Sequence, residues 1–279
     1  PGIRDSNPVV ILWPGVGMFS YAKNKQTARV ASEFYTNAIN VMKGAEAVSS
    51  YVSLPLQEAF DIEYWLLEEA KLQRMPKEQP LSRKVAFVTG GAGGIGKAIA
   101  DKLAKEGACV FITDINKDNL DTALATYGKD TGSGAVMDVT KMEDIEKALK
   151  AACLKFGGVD IIVNCAGLAI SKPIAQTSEK DWDILQSVLV KGQFAVSKAA
   201  VAILRAQDKG GDIVNIASKN ALVSGPNNVG YGTAKAAQVH MSRLLAAELG
   251  PDKIRVNDLN LSILFRRFRI FKLPFPVGH

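Results

Sequence analysis

Two hydrophobic rhythms divide this chain. From Val85 onward, short apolar runs alternate with longer stretches whose apolar residues recur every three or four positions. The runs are VAFVT (85–89), CVFIT (109–113), GAVM (134–137), VDIIVN (159–164), DIVNIA (212–217) and KIRVN (253–257). They are rich in β-branched residues and apolar almost throughout, as strands covered on both faces must be. Between them, Ile145, Leu149, Ala152 and Phe156 share one helical face, and Ser178-Glu-Lys-Asp181 has the form of a capping box at a helix start. Regular strand–helix alternation predicts an α/β fold, a doubly wound parallel sheet with right-handed crossovers.

Residues 7–74 follow another rhythm. PVVILWPGVG is a short apolar strand ending at a Pro-Gly turn. After it, Val30, Phe34, Ala38 and Val41 predict a helix with one apolar face. FDIEYWLLEEAKL predicts another, with Asp61 and Glu63 early and Lys71 late, as the helix dipole prefers. MPKEQP then breaks the pattern with two prolines. The expected organisation is a small α/β segment over 1–74, a linker at 75–80, the doubly wound domain over 81–258 and an atypical tail over 259–279.

Charge changes this picture little. The net charge of +6 suggests an anionic partner, but Arg266, Arg267, Arg269 and Lys272 all follow the last acid, Asp258. Setting those four aside leaves +2, so the body is nearly neutral and no nucleic-acid footprint is expected on it. Cys109, Cys153 and Cys165 lack metal-ligand spacing and a secretory context, which fits reduced thiols in a cytoplasmic protein. No uninterrupted apolar run reaches 18 residues, so no membrane span is expected. The tail is apolar and basic, with Pro274 and Pro276 breaking any long helix. It reads as a sequence substituted for a domain's usual ending, or as an arm for a membrane surface or nucleic acid.

Candidate chemistry begins where the first strand runs into TGGAGGIGKAIA. Gly90, Gly94 and Gly96 there form a Gly-x-x-x-Gly-x-Gly turn opening a helix, with Ile95 inside it. Such a turn lets a pyrophosphate approach the backbone and meet free N–H groups, although glycine-rich turns also serve tight packing alone. Asp114, closing the second strand, places a carboxylate where an adenosine ribose offers its hydroxyls, favouring NAD over NADP; a helix-capping aspartate is the bland alternative. Farther on, Tyr231 and Lys235 stand four residues apart on a predicted helix and share a face. A free phenol has a pKa of about 10, and a neighbouring ammonium favours its ionised form. Ser218, at the end of the fifth strand, can hydrogen-bond a substrate oxygen at the same sheet edge. Tyr-x-x-x-Lys pairs are common on solvated helix faces; behind a dinucleotide turn and a strand-end serine the pair is far more specific.

In this order, Thr89–Gly96, Asp114, Asp138-Val139, Asn164-Cys-Ala-Gly167, Ser218, Tyr231 and Lys235 resemble the short-chain dehydrogenase/reductase family, over about 85–257. The resemblance implies a Rossmann-type fold, with Asp138 and Val139 near the adenine. It implies Asn164, Ala166 and Gly167 supporting the central strand and the cofactor. It further implies Tyr231 as acid/base, Lys235 binding the ribose and tuning the tyrosine, Ser218 orienting the carbonyl, and a homo-oligomer. Two departures stand out. Leu189 occupies the place where the family commonly has an asparagine that holds a relay water. After RVN, Leu261 and Ser262 replace the family's Pro-Gly turn and the remaining text does not match its ending.

Residues 14–46 and 61–72 resemble the closing part of the class II aldolase half of bifunctional rhamnulose-1-phosphate aldolase/alcohol (lactaldehyde) dehydrogenases. That half needs a histidine-rich zinc site, whereas this sequence has only His240 and His279, so neither aldolase chemistry nor a metal is expected. Three functions follow. One is an NAD-dependent oxidoreductase interconverting an alcohol and a carbonyl on a small hydroxylated or sugar-derived substrate, with lactaldehyde one such guess. Another is a catalytically impaired NAD-binding or oligomerisation module of a truncated bifunctional protein. The third is a basic interaction protein working through its tail.

Overall fold

The computed structural model describes residues 7–260, so the expectations placed on the tail beyond Asn260 lie outside the described residues. The described residues divide into two compact units, one made of 7–83 with 106–109 and the other of 84–105 with 110–260.

In the first unit, β1 (Val10–Trp13) and β2 (Gly17–Ser20) form an antiparallel hairpin, with Trp13 opposite Gly17. Gly15, at φ +74°, sits in the turn between them. α1 (Lys25–Val48) follows, its first turn capped by Asn24, whose side chain accepts from the Thr27 N–H at 2.8 Å. The expected apolar face is the wrong one: Phe34 is 73% and Val41 61% exposed. Ala28 is buried instead, with Tyr35, Ile39 and Met42 half-buried, as is Val30 of the expected face. The helix is apolar on two sides, and periodicity alone does not say which side the hairpin covers. The next predicted helix is two, α2 (Leu56–Glu63) and α3 (Leu66–Gln73), because the backbone at Trp65 is extended. Tyr64 ends α2 stacked on Phe60, with ring centres 4.4 Å apart.

Apart from Cys109, the second unit holds all six predicted strands, β3 (Val85–Thr89), β4 (Cys109–Asp114), β5 (Gly132–Val136), β6 (Ile161–Asn164), β7 (Gly211–Ala217) and β8 (Ile254–Asn260). They form one sheet in the order β5-β4-β3-β6-β7-β8, with parallel pairings. Every residue of β3 and β6 is buried, which explains their unbroken apolar text. Leu259 and Asn260 belong to β8, paired with Ile216 and Ala217.

Helices α4 (Gly94–Lys105), α5 (Lys117–Leu124), α6 (Met142–Phe156), α7 (Glu179–Leu185), α8 (Gly192–Gln207) and α9 (Val229–Leu249) make the crossovers. α6 buries Ile145, Leu149 and Ala152 as its periodicity requires and ends at Gly157, in the left-handed conformation at φ +89°. The capping box forms at α7, where Ser178 and Asp181 exchange side-chain-to-backbone bonds. A π-helical turn, Gln186–Lys191, joins α7 to α8. The continuous helical stretch Glu179–Gln207 has the length and composition of a membrane span, but half of its most apolar window is buried inside the fold. Its apolar residues, among them Val196, Ala200 and Leu204, serve the core.

The chain starts in the middle of the sheet, works outward to β5, then crosses back to β6. The reversal between β3 and β6 opens a crevice at their carboxyl ends. Thr89 fixes that place: its hydroxyl oxygen accepts from the Cys165 and Ala166 N–H groups, both at 3.0 Å.

Candidate active site

The glycine-rich turn is built by close approach. Gly90 has φ +63°, and a Cβ on it would lie 2.9 Å from the Ala166 Cα. A Cβ on Gly96 would lie 2.1 Å from the Gly90 carbonyl oxygen, so the first turn of α4 can sit on the loop only without a side chain. Gly94 differs, because a Cβ there meets nothing within 4 Å. Packing does not demand glycine at Gly94; a pyrophosphate against the helix N-terminus would. Asp114, at the end of β4, accepts from the Ala92 N–H at 3.3 Å and the Asn116 N–H at 3.0 Å. It therefore ties the turn to the neighbouring strand end, and it also lines the crevice.

The crevice widens into a pocket of about 620 Å³. Of the residues singled out in the sequence, Gly90, Ile95, Gly96, Asp114, Asp138, Val139, Ala166, Gly167, Tyr231 and Lys235 line it together. Gly94, Asn164 and Ser218 do not. Burial works against the charge on Asp138, but two bonds from Thr140 and the nearby Lys141 outweigh it and hold the carboxyl below its usual range. Val139 is buried against Gly192, the first residue of α8.

Tyr231 and Lys235 come from the first turns of α9, and the Lys235 ammonium lies 5.8 Å from the centre of the Tyr231 ring. Lys235 is buried and donates to the Ile216 carbonyl at 2.7 Å. Burial pulls its pKa down to about 8, opposed by Cys165 and Asp258. The Cys165 thiol is pushed up to about 11 by the same burial, so it is protonated near neutral pH. Ser218 directly follows the pocket residue Ala217, and its hydroxyl caps a short 3-10 turn by accepting from Asn220 N–H at 3.3 Å. Leu189 is buried in an apolar cluster with Leu185 and Ala234, against which Tyr231 packs.

Sequence reasoning missed a buried polar chain beneath these residues. Asn164 donates to Ser197 at 3.2 Å and to Asn215 at 2.8 Å. Asn215 donates to Ser242 at 2.8 Å, and Ser242 donates to Asp258 at 2.6 Å. These bonds hold β6, β7, β8, α8 and α9 in register below the pocket floor. Burial raises the Asp258 pKa, against the pull of Ser242, Arg243, Asn215 and Lys235. One signal was available: Asn215 stands between the apolar pairs Ile213-Val214 and Ile216-Ala217 of an inner strand, where an amide must be paired.

A glycine turn, a strand-end carboxylate and a Tyr–Lys pair around one crevice invite comparison with known dehydrogenases. Residues 84–264 match the family described as short chain dehydrogenase, and residues 1–72 match the second domain of class II aldolases. The uncharacterized oxidoreductase YuxG of Bacillus subtilis (strain 168) is 42% identical over 261 residues, covering 92% of this chain and 38% of that protein. The chain thus spans well under half of that relative's length, and the match runs through both units. D-threitol dehydrogenase of Mycolicibacterium smegmatis is 37% identical over 186 residues, 66% of this chain and 71% of the relative. The crystal structure of a short chain dehydrogenase from Mycobacterium smegmatis superposes with a TM-score of 0.63 at 31% identity, over 68% of this chain and 82% of that one. Sheet order, crevice and the family match over 84–264 agree, and the chain belongs to the short chain dehydrogenase family.

Proposed function

We propose that the chain is an NAD-dependent oxidoreductase that interconverts an alcohol and a carbonyl on a small hydroxylated or sugar-derived substrate. The observation that carries this reading is the meeting of Tyr231 and Lys235 with Asp114 and the Gly90–Gly96 turn in one pocket. The fit to a dinucleotide rests on the open space at Gly94 and on the carboxylate at the end of β4. Asp114 receives the ribose hydroxyls and repels a 2′-phosphate. Asp138 and Val139 border the adenine. Asn164 holds the central strands in place, and Ala166 and Gly167 border the nicotinamide side. When bound, NAD supplies the hydride acceptor of the reaction.

The remaining chemistry belongs to the protein. Tyr231 takes the proton from the substrate hydroxyl in oxidation and returns it in reduction. Lys235, buried and cationic, stabilises negative charge on the Tyr231 oxygen and faces the ribose. Ser218 orients the substrate oxygen from the end of β7, which requires its hydroxyl to turn from the Asn220 N–H toward the pocket. A polyol-like substrate is supported by the likeness to D-threitol dehydrogenase.

The organisation we propose is a closing segment of an aldolase-like domain over 1–74, a linker at 75–80 and the dehydrogenase domain from 81. The aldolase match over 1–72 and the YuxG match across both units support descent from a two-part chain of the rhamnulose-1-phosphate aldolase/dehydrogenase kind. Leu189 favours a second reading, an NAD-binding module without turnover, because its apolar side chain cannot hold a relay water. Purified protein should be titrated with NAD by calorimetry and assayed for NADH formation with small polyols and hydroxyaldehydes. NADH formation supports the enzyme. NAD binding with no turnover on any of them establishes the module, and no binding of either nicotinamide cofactor overturns both readings.

A further inference from the structure

A second cavity, of about 10 Å³, lies behind the wall of the large pocket and shares Val139, Ala166 and Val188 with it. Its other lining includes three amides, Asn164, Gln193 and Gln238, exposed by only 6%, 3% and 4%. Among the described residues, Asn164 Oδ1, Gln238 Oε1 and both polar atoms of Gln193 have no hydrogen-bond partner. Four unpaired amide atoms around one space are far from the norm for a folded interior, where buried polar groups are bonded. Dry cavities are lined by apolar side chains, and this one is not.

The polarity of the buried chain beneath dictates how these amides point. The one Ser242 proton goes to Asp258 or to the Gln238 carbonyl, so in either case Ser242 accepts from Asn215 Nδ2, and Asn215 Oδ1 accepts from Asn164 Nδ2. The Asn164 carbonyl oxygen is left over for the cavity, as an acceptor. Gln238 is oriented likewise: its Nε2 donates to the Leu189 carbonyl at 2.6 Å, leaving Oε1 as a second acceptor. Gln193 contributes one donor and one acceptor. The set is complementary to a molecule that gives two protons and accepts at least one, in a space holding a single water centre.

We infer that this cavity binds one internal water molecule, held by Asn164, Gln193 and Gln238. It donates to Asn164 Oδ1 and to a glutamine carbonyl oxygen, and it accepts from Gln193 Nε2. The water joins β6, α8 and α9 behind the pocket. Through Gln238 it holds the Leu189 carbonyl, and with it the π-helical turn that carries Val188 and Leu189 into the pocket wall. Its presence does not depend on turnover at the large pocket.

A crystal structure of the chain at a resolution that shows ordered solvent tests the inference. A peak within hydrogen-bond distance of Asn164 Oδ1, Gln193 and Gln238 is expected. A clear map without that peak, or with the three amides bonded directly to one another, overturns it. Gln193→Leu supplies an independent sign. If water is held there, leucine removes the group that donates to it and fills its space, so the water is lost, Asn164 Oδ1 and Gln238 Oε1 are left unpaired, and Tm falls by roughly 2–6 °C. If the cavity is dry, leucine removes two orphaned atoms, and an unchanged or higher Tm counts against the inference. Should the variant fail to fold, the wild-type map decides alone.

Discussion

The Lys235 ammonium sits 5.8 Å from the centre of the Tyr231 ring, one helical turn along α9, and is buried there with Cys165 and Asp258 nearby. Burying an ammonium without a directly bonded carboxylate is costly, and the fall of its pKa from 10.5 to about 8 measures that cost. Below pH 8 both folded and unfolded chains carry the proton, so the penalty is fully present. Between about 8 and 10.5 the unfolded chain binds more protons, so stability rises with pH. Relative to Lys235→Met, the wild type should therefore gain about 3 kcal/mol across that window. Urea denaturation of both proteins from pH 7.5 to 10.5 reads this directly; parallel stability curves would show that Lys235 titrates normally.

Asp114 should decide the cofactor. It ends β4 at the crevice and also holds the Ala92 N–H of the glycine turn. Wild-type protein is expected to bind NAD more tightly than NADP. Asp114→Ala should weaken NAD by roughly 10–100-fold, the scale of a charge-assisted hydrogen bond, and bring the two cofactors closer. Calorimetric titration distinguishes the outcomes. Equal or tighter NADP binding by the wild type would remove Asp114 from the ribose site.

These two positions were legible from the chain alone because each is tied to a strand end, and strand ends are visible as breaks in apolar text. Asp114 closes CVFIT, and the Gly90–Gly96 turn closes VAFVT. Tyr231 and Lys235 were legible through helical spacing. The face of α1 was not, since Val30, Phe34 and Val41 compete with Ala28, Ile39 and Met42 in one amphipathic pattern. The Asn164–Asn215–Ser242–Asp258 chain was hidden for another reason. Its members come from four elements spread over nearly a hundred residues, and only the sheet order brings them together. Asn215, polar in the middle of β7, was the one hint.

Tyr231→Phe should lower turnover by about 10²–10⁴-fold, the usual effect of losing a general acid/base. The ring keeps its packing on Leu185 and Leu189, so Tm and NAD affinity should stay near wild type. A steady-state assay beside thermal unfolding separates chemistry from folding, and an unchanged rate would place the proton donor elsewhere. Leu189→Asn is its companion. It puts an amide into that apolar cluster and should lower Tm, while a faster rate would show that an impaired proton relay limits the wild type.

Two glycines two residues apart should respond in opposite ways. Gly96→Ala drives a methyl to 2.1 Å from the Gly90 carbonyl oxygen, a backbone atom that cannot step aside, so the loop must move and both stability and NAD affinity fall. Gly94→Ala meets nothing within 4 Å. At the start of α4 alanine is the better helix former, by up to about 1 kcal/mol, so Tm should hold or rise slightly. If a pyrophosphate approaches the backbone at Gly94, however, the new methyl stands in its path, and NAD affinity should drop at least about tenfold, or some 1.4 kcal/mol. Loss of affinity without loss of stability is a signature that packing alone cannot produce. Measuring Tm and NAD binding on both variants checks the pair, and a Gly94→Ala protein that binds NAD as the wild type does would mean that the cofactor's phosphates lie away from this turn.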